Sequence, residues 1–288
     1  MDINKILFKF FNKKKYSQYK KEKIKRDNKN IYETIIKKKL DEIDIALKNK
    51  ENIIKDSNFN QKILLNHDEI NKLLPSHVQN RDHPFGKYYL TETSAKKILP
   101  LLDKQKYINK VSIFNKEEID VNLNLFRELP INFNIDSVRW YFHITGIHPE
   151  LDKPYLENIG THQLKNKIVI IRSKRRRNYL INYNFLKNYN DILFLGLKDE
   201  FEDLKKEIPN LEFFDCKDFL EMAEIINSCK LFIGNLSFGF TLAEGLKKPR
   251  LLESGPDFPL VYPNGKDAYD FYFQNHFETN FKKIYLKR

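Results

Sequence analysis

The sequence predicts an α/β protein made of two doubly wound, parallel-sheet halves that face a cleft, with a helical extension in front of them. From residue 62 onward, short apolar runs typical of buried strands alternate with amphipathic helical segments. A polar, proline-bearing segment, residues 148–166, interrupts this alternation and reads as a linker between the halves. The predicted domains are therefore 1–56, 57–153 and 154–288. Sheets of this kind bind ligands at the carboxyl ends of their strands.

Composition limits the class of protein. The chain has 288 residues, 41% of them hydrophobic, which is enough for about two ordinary domains with buried cores. The net charge is +12, and residues 1–50 carry most of it, with 16 basic and 7 acidic residues. The body is only mildly basic, so a nucleic-acid partner is unlikely from charge alone.

The two cysteines, Cys216 and Cys229, form no CxxC or Cys/His pattern, so neither a disulfide framework nor a zinc site is expected. No apolar run reaches the roughly 18–20 residues that span a bilayer, and the start lacks the order of a signal peptide. The expected location is the cytoplasm, with peripheral attachment at the inner face of the membrane.

Residues 1–56 are predicted to be helical and strongly basic, with apolar residues near one face. Three interpretations stay open. The segment is a solvated extension that packs weakly on the body, a basic amphipathic element on anionic membrane, or a nucleic-acid contact. The last has little aromatic interleaving and no base-reading motif to support it.

The first half, 57–153, alternates strands and helices in order. Strands are predicted at KILLN, KYYLT, KVSIFN and IDVNLNLF, and helices at DEINKLLP, SAKKILPLLDK and SVRWYFHITGI.

The second half, 154–288, repeats the plan more clearly. Asp218 is expected to cap one of its helices. Strands are predicted at NKIVIIRS, DILFLGL, LEFFD, LFIGN and PRLLE, and helices at NYNFLKNY, DEFEDLKKEI, DFLEMAEIINSC, SFGFTLAEGLKK and the aromatic-rich tail YDFYFQNHFETNFKKIYLK.

The turn after LFIGN is the first candidate site. Gly234 and Gly239 permit tight backbone geometry, and Ser237 is a plausible N-cap for the next helix. The free N–H groups and the dipole at a helix start favour a phosphate. Glu244 lies within two turns of that start, where it is predicted to accept bonds from ribose hydroxyls. The alternative is ordinary packing, because many strand–turn–helix units bind nothing.

A basic run follows the first strand of the same half, with Arg172, Ser173 and Lys174 leading into Arg175–Arg177. In a parallel sheet this run lies at the same edge as Ser237. Its cations are suited to neutralising a diphosphate, Arg with bidentate geometry. A solvated surface loop is the alternative.

Residues 167–253 resemble the C-terminal domain of GT-B glycosyltransferases. They are most similar to glycosyltransferase family 9, the ADP-heptose:lipopolysaccharide heptosyltransferases. The resemblance is carried by IVIIRS, DILFLG, DFLEMAEIINSCKLFIGN and SFGFTLAEGLKKPRLLE, and extends more weakly back to residue 62. Asn235 stands where the family has an acidic residue, and Phe240 where heptosyltransferases tend to have His. The resemblance implies Rossmann-like halves and a nucleoside-diphosphate sugar held by Arg172, Ser173, Lys174, Asn235, Ser237, Phe238, Gly239 and Glu244.

The resemblance also implies a catalytic carboxylate in KILLNHDEINKLLP. Glu69 falls at the position of the family's catalytic Asp and Asp68 at that of its Gly. Glu69 would take the proton from the acceptor hydroxyl, with Asp68 as the substitute. Alternatively, the two acids only begin a helix. The loop of residues 76–87 would lie over the cleft, and His77, Arg81 and His83 are the predicted acceptor contacts.

These features predict an inverting, metal-independent glycosyltransferase that acts on a surface glycan or lipid-linked glycan, as in lipopolysaccharide biosynthesis. No cofactor or metal is expected, because the body lacks a convincing Asp-x-Asp motif. A non-catalytic GT-B-like protein that binds nucleotide or glycan is the alternative, since the first half is small and Asp68 replaces the glycine that the family has in its N-terminal turn. A nucleic-acid-associated protein that uses residues 1–56 is a weaker alternative.

Overall fold

The computed structural model describes residues 62–65, 92–119, 138–139, 141–142, 146–255 and 261–287. The predicted extension, residues 1–56, lies outside them. So do DEINKLLP, KYYLT and all but the first residue of IDVNLNLF. Four residues of SVRWYFHITGI are described as helical: Val138, Arg139, Tyr141 and Phe142.

A small parallel sheet belongs to the first half. Strand β1, Lys62–Leu65, pairs in parallel with β2, Lys110–Ile113, in the register Ile63 to Val111. Helix α1, Glu92–Asp103, lies between them in the chain, as the crossover of a parallel pair requires. These three elements match the predicted KILLN, SAKKILPLLDK and KVSIFN.

The second half forms a six-stranded sheet in which every pairing is parallel. The spatial order is β5-β4-β3-β6-β7-β8, so the chain moves outward in one direction from β3 and then in the other from β6. The predicted doubly wound α/β class is confirmed for this half. The strands are β3 Ile168–Ile171, β4 Ile192–Leu195, β5 Glu212–Phe214, β6 Leu231–Asn235, β7 Arg250–Glu253 and β8 Ala268–Phe271.

Helices cover both faces of this sheet, which explains why strands such as IVII and ILFL are buried along their whole length. Asp218 caps α3 as predicted, since its carboxylate accepts from Glu221 N–H at 2.8 Å. The α-helices are α2 Lys198–Lys205, α3 Phe219–Ser228, α4 Phe238–Gly245 and α5 Gln274–Tyr285, and short 3-10 helices span Lys174–Arg176 and Asn184–Asn188.

Two apolar cores follow from the alternation along the strands. One contains Ile170 and Phe194 with residues of α2 and α5, such as Phe201 and Phe277. The other contains residues of the opposite strand face with α3 and α4, and it also takes in Leu101 of α1.

The C-terminal tail differs from its prediction. A single aromatic-rich helix was expected, but strand β8 forms first and α5 begins only at Gln274. The start of the tail therefore completes the sheet beside β7 instead of covering it. The ring of Phe271 stacks on that of Phe277 with centroids 4.1 Å apart, and this contact joins the strand to the helix that follows.

The predicted linker contains no helix or strand, but it is firmly attached. Tyr155 N–H and Leu156 N–H both donate to the carbonyl of Gly245, at 2.9 and 3.1 Å. Glu157 N–H donates to Gln105 Oε1 at 2.8 Å, which ties the segment to the end of α1. The proposed domain boundaries, and a cleft between the halves, stay predictions.

Candidate functional site

The chain direction reverses between β3 and β6, and ligands of open α/β sheets bind beside the carboxyl ends at such a point. Ile171 of β3 is in register with Gly234 of β6, so both strands end together. Ser173 N–H donates to Asn235 Oδ1 at 2.9 Å, and Asn235 Nδ2 donates to the Ser173 carbonyl at 2.7 Å. Asn235 is fully buried. Its side chain therefore acts as a clip that continues the pairing of the two strands by one more step.

Helix α4 begins immediately beyond this clip. Ser237 is its N-cap, with extended backbone at φ −150° and a hydroxyl that accepts from Phe240 N–H at 3.4 Å. The N–H groups at the start of a helix have no intrahelical acceptor, so α4 itself supplies none to those of Phe238 and Gly239 at the carboxyl edge. The dipole adds positive potential there. The side chain of Phe238 packs on Phe219, with ring centroids 4.5 Å apart.

The two glycines of the turn are required by close packing. A Cβ on Gly234 would lie 2.7 Å from the carbonyl oxygen of Ile171, and one on Gly239 would lie 2.1 Å from Ile171 Cδ1. The glycines thus allow β6 and the first turn of α4 to approach β3. This approach brings the helix start next to the segment that follows β3.

Arg172 is engaged inside the protein. Its side chain is 3% exposed, and its Nε donates to Glu253 Oε2 at 2.7 Å. Its Nη2 donates to the carbonyl of Ile181 at 3.0 Å, and its guanidinium lies 4.4 Å from the centre of the Tyr183 ring. The Arg172–Glu253 ion pair joins the ends of β3 and β7 across β6. This geometry offers no support for a contact between Arg172 and a diphosphate.

Glu253 collects further donors. Tyr183 Oη donates to its Oε2 at 2.7 Å, and Asn178 N–H donates to its Oε1 at 2.6 Å. Burial, and then the carboxylate of Glu253, raise the pKa of Tyr183 well above its ordinary value. No sequence pattern predicted a role for these residues. The available signal was an acid at the carboxyl end of the strand PRLLE.

Acids of α2 partly neutralise the basic run. Lys174 Nζ lies 2.7 Å from Asp199 Oδ2, and Lys174 N–H donates to Glu200 Oε1 at 2.9 Å. The hydrogen bond that Lys174 donates to Asp199 is the main cause that raises the pKa of Lys174. Burial raises the pKa of Glu200. Arg175 is exposed to solvent.

Arg177 makes the second contact with α2, since its Nη1 lies 2.6 Å from Asp203 Oδ2. Hydrogen bonds from Arg177 and then Lys206 lower the pKa of Asp203 to about 2. The basic run is therefore held over the start of α2, beside the carboxyl edge.

Glu244 lies in a buried ionic cluster. Its carboxylate pairs with Lys247 and Arg250, and it accepts from Asn264 N–H at 3.2 Å. These contacts fasten α4 to the loop before β8. The predicted contact with a ribose receives no support from them and stays a prediction.

The remaining predicted site residues, Asp68, Glu69, His77, Arg81 and His83, lie outside the described residues, so their roles stay predictions. Within the described ranges, no group of His, Cys, Asp and Glu side chains is arranged to hold a metal ion. None of the described helices is long and apolar enough to cross a membrane.

No protein-family model matches the chain, and no curated protein matches it significantly. Solved structures similar to it include glycosyltransferases. E. coli ADP-heptose lps heptosyltransferase II is 13% identical with a TM-score of 0.41, and the match covers 79% of this chain and 99% of that one. The glycosyl transferase family 9 protein from Veillonella parvula is 12% identical with a TM-score of 0.38, covering 61% and 75%.

E. coli heptosyltransferase WaaC with ADP-2-deoxy-2-fluoro heptose is 15% identical with a TM-score of 0.32, covering 57% of this chain and 53% of that one. The resemblance to glycosyltransferase family 9 seen in the sequence thus recurs among solved structures. Because these identities and TM-scores are low, a functional assignment has to rest on the residues at the sheet edge.

Proposed function

We propose that the chain is an inverting, metal-independent glycosyltransferase that uses a nucleoside-diphosphate sugar. The observation that carries the proposal is the carboxyl edge between β3 and β6. There the Ser237-capped start of α4 lies at the reversal of strand order, next to the basic run. A diphosphate suits this place because the helix start offers N–H donors and positive potential.

The proposed donor contacts rely more on the start of α4, and less on Arg172 and Asn235, than the set predicted from the sequence. The N–H groups of Phe238 and Gly239 would hold the diphosphate, with Ser173 and the exposed Arg175 beside it. Arg172 and Asn235 would shape the edge from below, because both are buried and bonded within the protein. The WaaC structure named above was solved with ADP-2-deoxy-2-fluoro heptose, and the proposed donor belongs to that chemical class.

The transfer chemistry would need a base and a stabilised leaving group. Glu69, or Asp68 in its place, would take the proton from the acceptor hydroxyl, and the helix start would stabilise the departing diphosphate without a metal. His77, Arg81 and His83 would contact the acceptor, a surface glycan or its lipid-linked precursor. Residues 1–56 would hold the enzyme at the inner face of the membrane.

The first experiment measures the shift in thermal stability with ADP, GDP, UDP, CDP and CMP. A nucleotide at about 100 times its dissociation constant adds about 2.7 kcal/mol to the free energy of unfolding. We expect one diphosphate to stabilise the wild-type chain, which would also identify the base.

Ser237→Asp and Ser237→Asn form a matched pair for this experiment. Both side chains cap helices as well as Ser does, so both variants should fold with the stability of the wild type. The carboxylate of Ser237→Asp repels a diphosphate at the helix start, and we expect it to abolish the nucleotide shift. The amide of Ser237→Asn should leave most of the shift in place. An unchanged shift in Ser237→Asp would exclude the helix start as the diphosphate site.

One observation favours the alternative, a non-catalytic protein that binds nucleotide. Arg172, a predicted stabiliser of the departing diphosphate, is committed to Glu253. Supplying the sugar conjugate of the nucleotide that the thermal shift identifies distinguishes the enzyme from the non-catalytic protein. When glycan and lipid-linked glycan acceptors are also present, release of the nucleoside diphosphate by the wild type, lost in Glu69→Gln, supports the enzyme. Binding without release supports the alternative.

A further inference from the structure

Three large apolar side chains stand exposed at the carboxyl edge of the six-stranded sheet. Tyr179 is 87% exposed, Leu180 is 77% exposed and Phe273 is 64% exposed. Tyr179 and Leu180 lie in the loop after β3, and Phe273 lies between β8 and α5. Single exposed apolar residues need no explanation, but neighbouring ones indicate a contact surface.

The two loops are joined on both sides of these residues. Asn178 Nδ2 donates to the Tyr272 carbonyl at 3.1 Å, and Asn182 N–H donates to Gln274 Oε1 at 3.0 Å. In the loop after β3, Tyr179 and Leu180 lie between the attached residues Asn178 and Asn182. In the loop after β8, Phe273 lies between the attached residues Tyr272 and Gln274. The three side chains therefore form one surface, called here the edge patch.

The edge patch has a rigid base. Asn178 N–H donates to Glu253 Oε1 at 2.6 Å, and Asn178 Nδ2 also donates to the Ser254 carbonyl at 2.9 Å. Arg172 holds the other oxygen of Glu253 from below. The apolar side chains are thus presented outward by a loop whose own polar groups are bonded inside the protein.

Positive charge adjoins the edge patch. The basic run Lys174–Arg177 immediately precedes it, and Arg175 within that run is exposed. Aromatic side chains favour the interface between water and lipid, and Lys and Arg are drawn to anionic headgroups. The combination of Tyr, Phe, Leu and Arg at one edge is the composition of a peripheral membrane contact.

We propose that the edge patch contacts the surface of an anionic lipid bilayer, with Tyr179, Leu180 and Phe273 in the interface and Arg175 at the lipid phosphates. A protein partner fits less well, because three side chains expose a few hundred Å² and a stable interface needs about 800 Å² on each partner. A bilayer requires no matching surface of that size.

The proposal shares Arg175 with the proposed nucleotide site, so within the edge patch its tests substitute only the three apolar residues. It does not depend on a membrane contact by residues 1–56. It would orient the carboxyl edge toward the membrane, where a lipid-linked acceptor would lie.

Tryptophan quenching by brominated phosphatidylcholine tests the edge patch directly. Leu180→Trp and Leu286→Trp are compared in the full chain, with the native Trp140 common to both. Leu286 is a matched control because it is 78% exposed and follows Tyr285, whose ring lies under Lys230 at the opposite, amino-terminal edge of the sheet. The vesicles contain phosphatidylserine together with the brominated lipid.

We expect these vesicles to quench Leu180→Trp clearly more than Leu286→Trp, without any nucleotide. Equal quenching of the two variants would overturn the proposal and indicate a contact elsewhere, such as residues 1–56. Absence of vesicle binding would overturn it as well.

Cosedimentation with phosphatidylserine-containing vesicles gives an independent measurement. The triple variant Tyr179→Ser, Leu180→Ser, Phe273→Ser should bind about tenfold or more weakly than the wild type, because it loses apolar surface from the interface. Leu286→Ser should bind as the wild type does. Wild-type binding by the triple variant would count against the edge patch.

Discussion

Asn235 illustrates how one side chain closes a sheet edge. An amide presents both an acceptor and a donor, and Asn235 uses the first for Ser173 N–H and the second for the Ser173 carbonyl. A carboxylate has no donor for that carbonyl. The amide thus satisfies two backbone groups at a position where the resembling family has an acid.

We expect Asn235→Asp to lower the free energy of unfolding at neutral pH by about 1–3 kcal/mol, because a buried carboxylate would face a carbonyl oxygen. Burial would raise the folded-state pKa of this Asp above its unfolded value of about 4. The native state then binds the proton more tightly, so the variant loses stability as pH rises through the folded-state pKa. Urea unfolding across that pH range measures the effect.

Asn182→Asp is the control, because Asn182 is exposed and its Oδ1 accepts from Asn184 N–H at 3.3 Å, a bond that an acid can also accept. The free energy of unfolding of Asn182→Asp should differ little from that of the wild type anywhere in this pH range. If the free energy of unfolding of Asn235→Asp did not change with pH, the two hydrogen bonds between Asn235 and Ser173 would contribute little to stability.

At the scale of elements, the unit of β6, turn and α4 depends on close approach to β3. A Cβ on Gly234 would meet the backbone oxygen of Ile171, whereas one on Gly239 would meet its side chain, most closely at Cδ1. A carbonyl oxygen in a paired strand cannot move without breaking the ladder, whereas a side-chain methyl can rotate away. The two glycines of one turn therefore have different tolerance.

Gly234→Ala should lower the free energy of unfolding by about 1–3 kcal/mol or more, because overpacking would force β3 and β6 apart. Chemical denaturation is the measurement. Gly160→Ala is the matched control, since its Cβ would meet the side chain of Glu224, most closely Oε1 at 3.2 Å, and no backbone atom is among its nearest neighbours. A Gly234→Ala variant as stable as Gly160→Ala would contradict the close approach described here.

At the scale of the molecule, the first half contributes to the core of the second. Leu101 of α1 is buried among residues of the sheet face that α3 covers, with Ile98 packed beside it. The linker is bonded both to the end of α1 and to α4. Helix α1 is thus part of the packing that supports the carboxyl edge.

We expect Leu101→Ala to lower the free energy of unfolding by about 2–5 kcal/mol, the usual cost of a cavity in a packed core. Hydrogen exchange should show lost protection in α3 as well as in α1. Leu102→Ala changes the same helix by the same chemistry at a half-buried position, and it should cost clearly less. Equal effects of the two variants would argue against docking of α1 through Leu101.

Local features were determined by the sequence itself. The strands and helices of residues 167–253 follow from apolar runs and helical periodicity, and both predicted N-caps, Asp218 and Ser237, bond within their own first turn. These interactions join residues that are close in the chain, so their signals are contained in short stretches.

Only the tertiary structure decided which distant groups meet. Arg172 pairs with Glu253, and Ser173 with Asn235, because the strand order places β3 beside β6 and near β7. A basic run read alone looks available to a ligand, and a strand-ending acid read alone looks unremarkable. Because Arg172 pairs with Glu253 and Asn235 with Ser173, these two predicted ligand contacts become supports of the sheet edge. A buried charge or amide needs a hydrogen-bond partner and takes the one that the fold brings within reach.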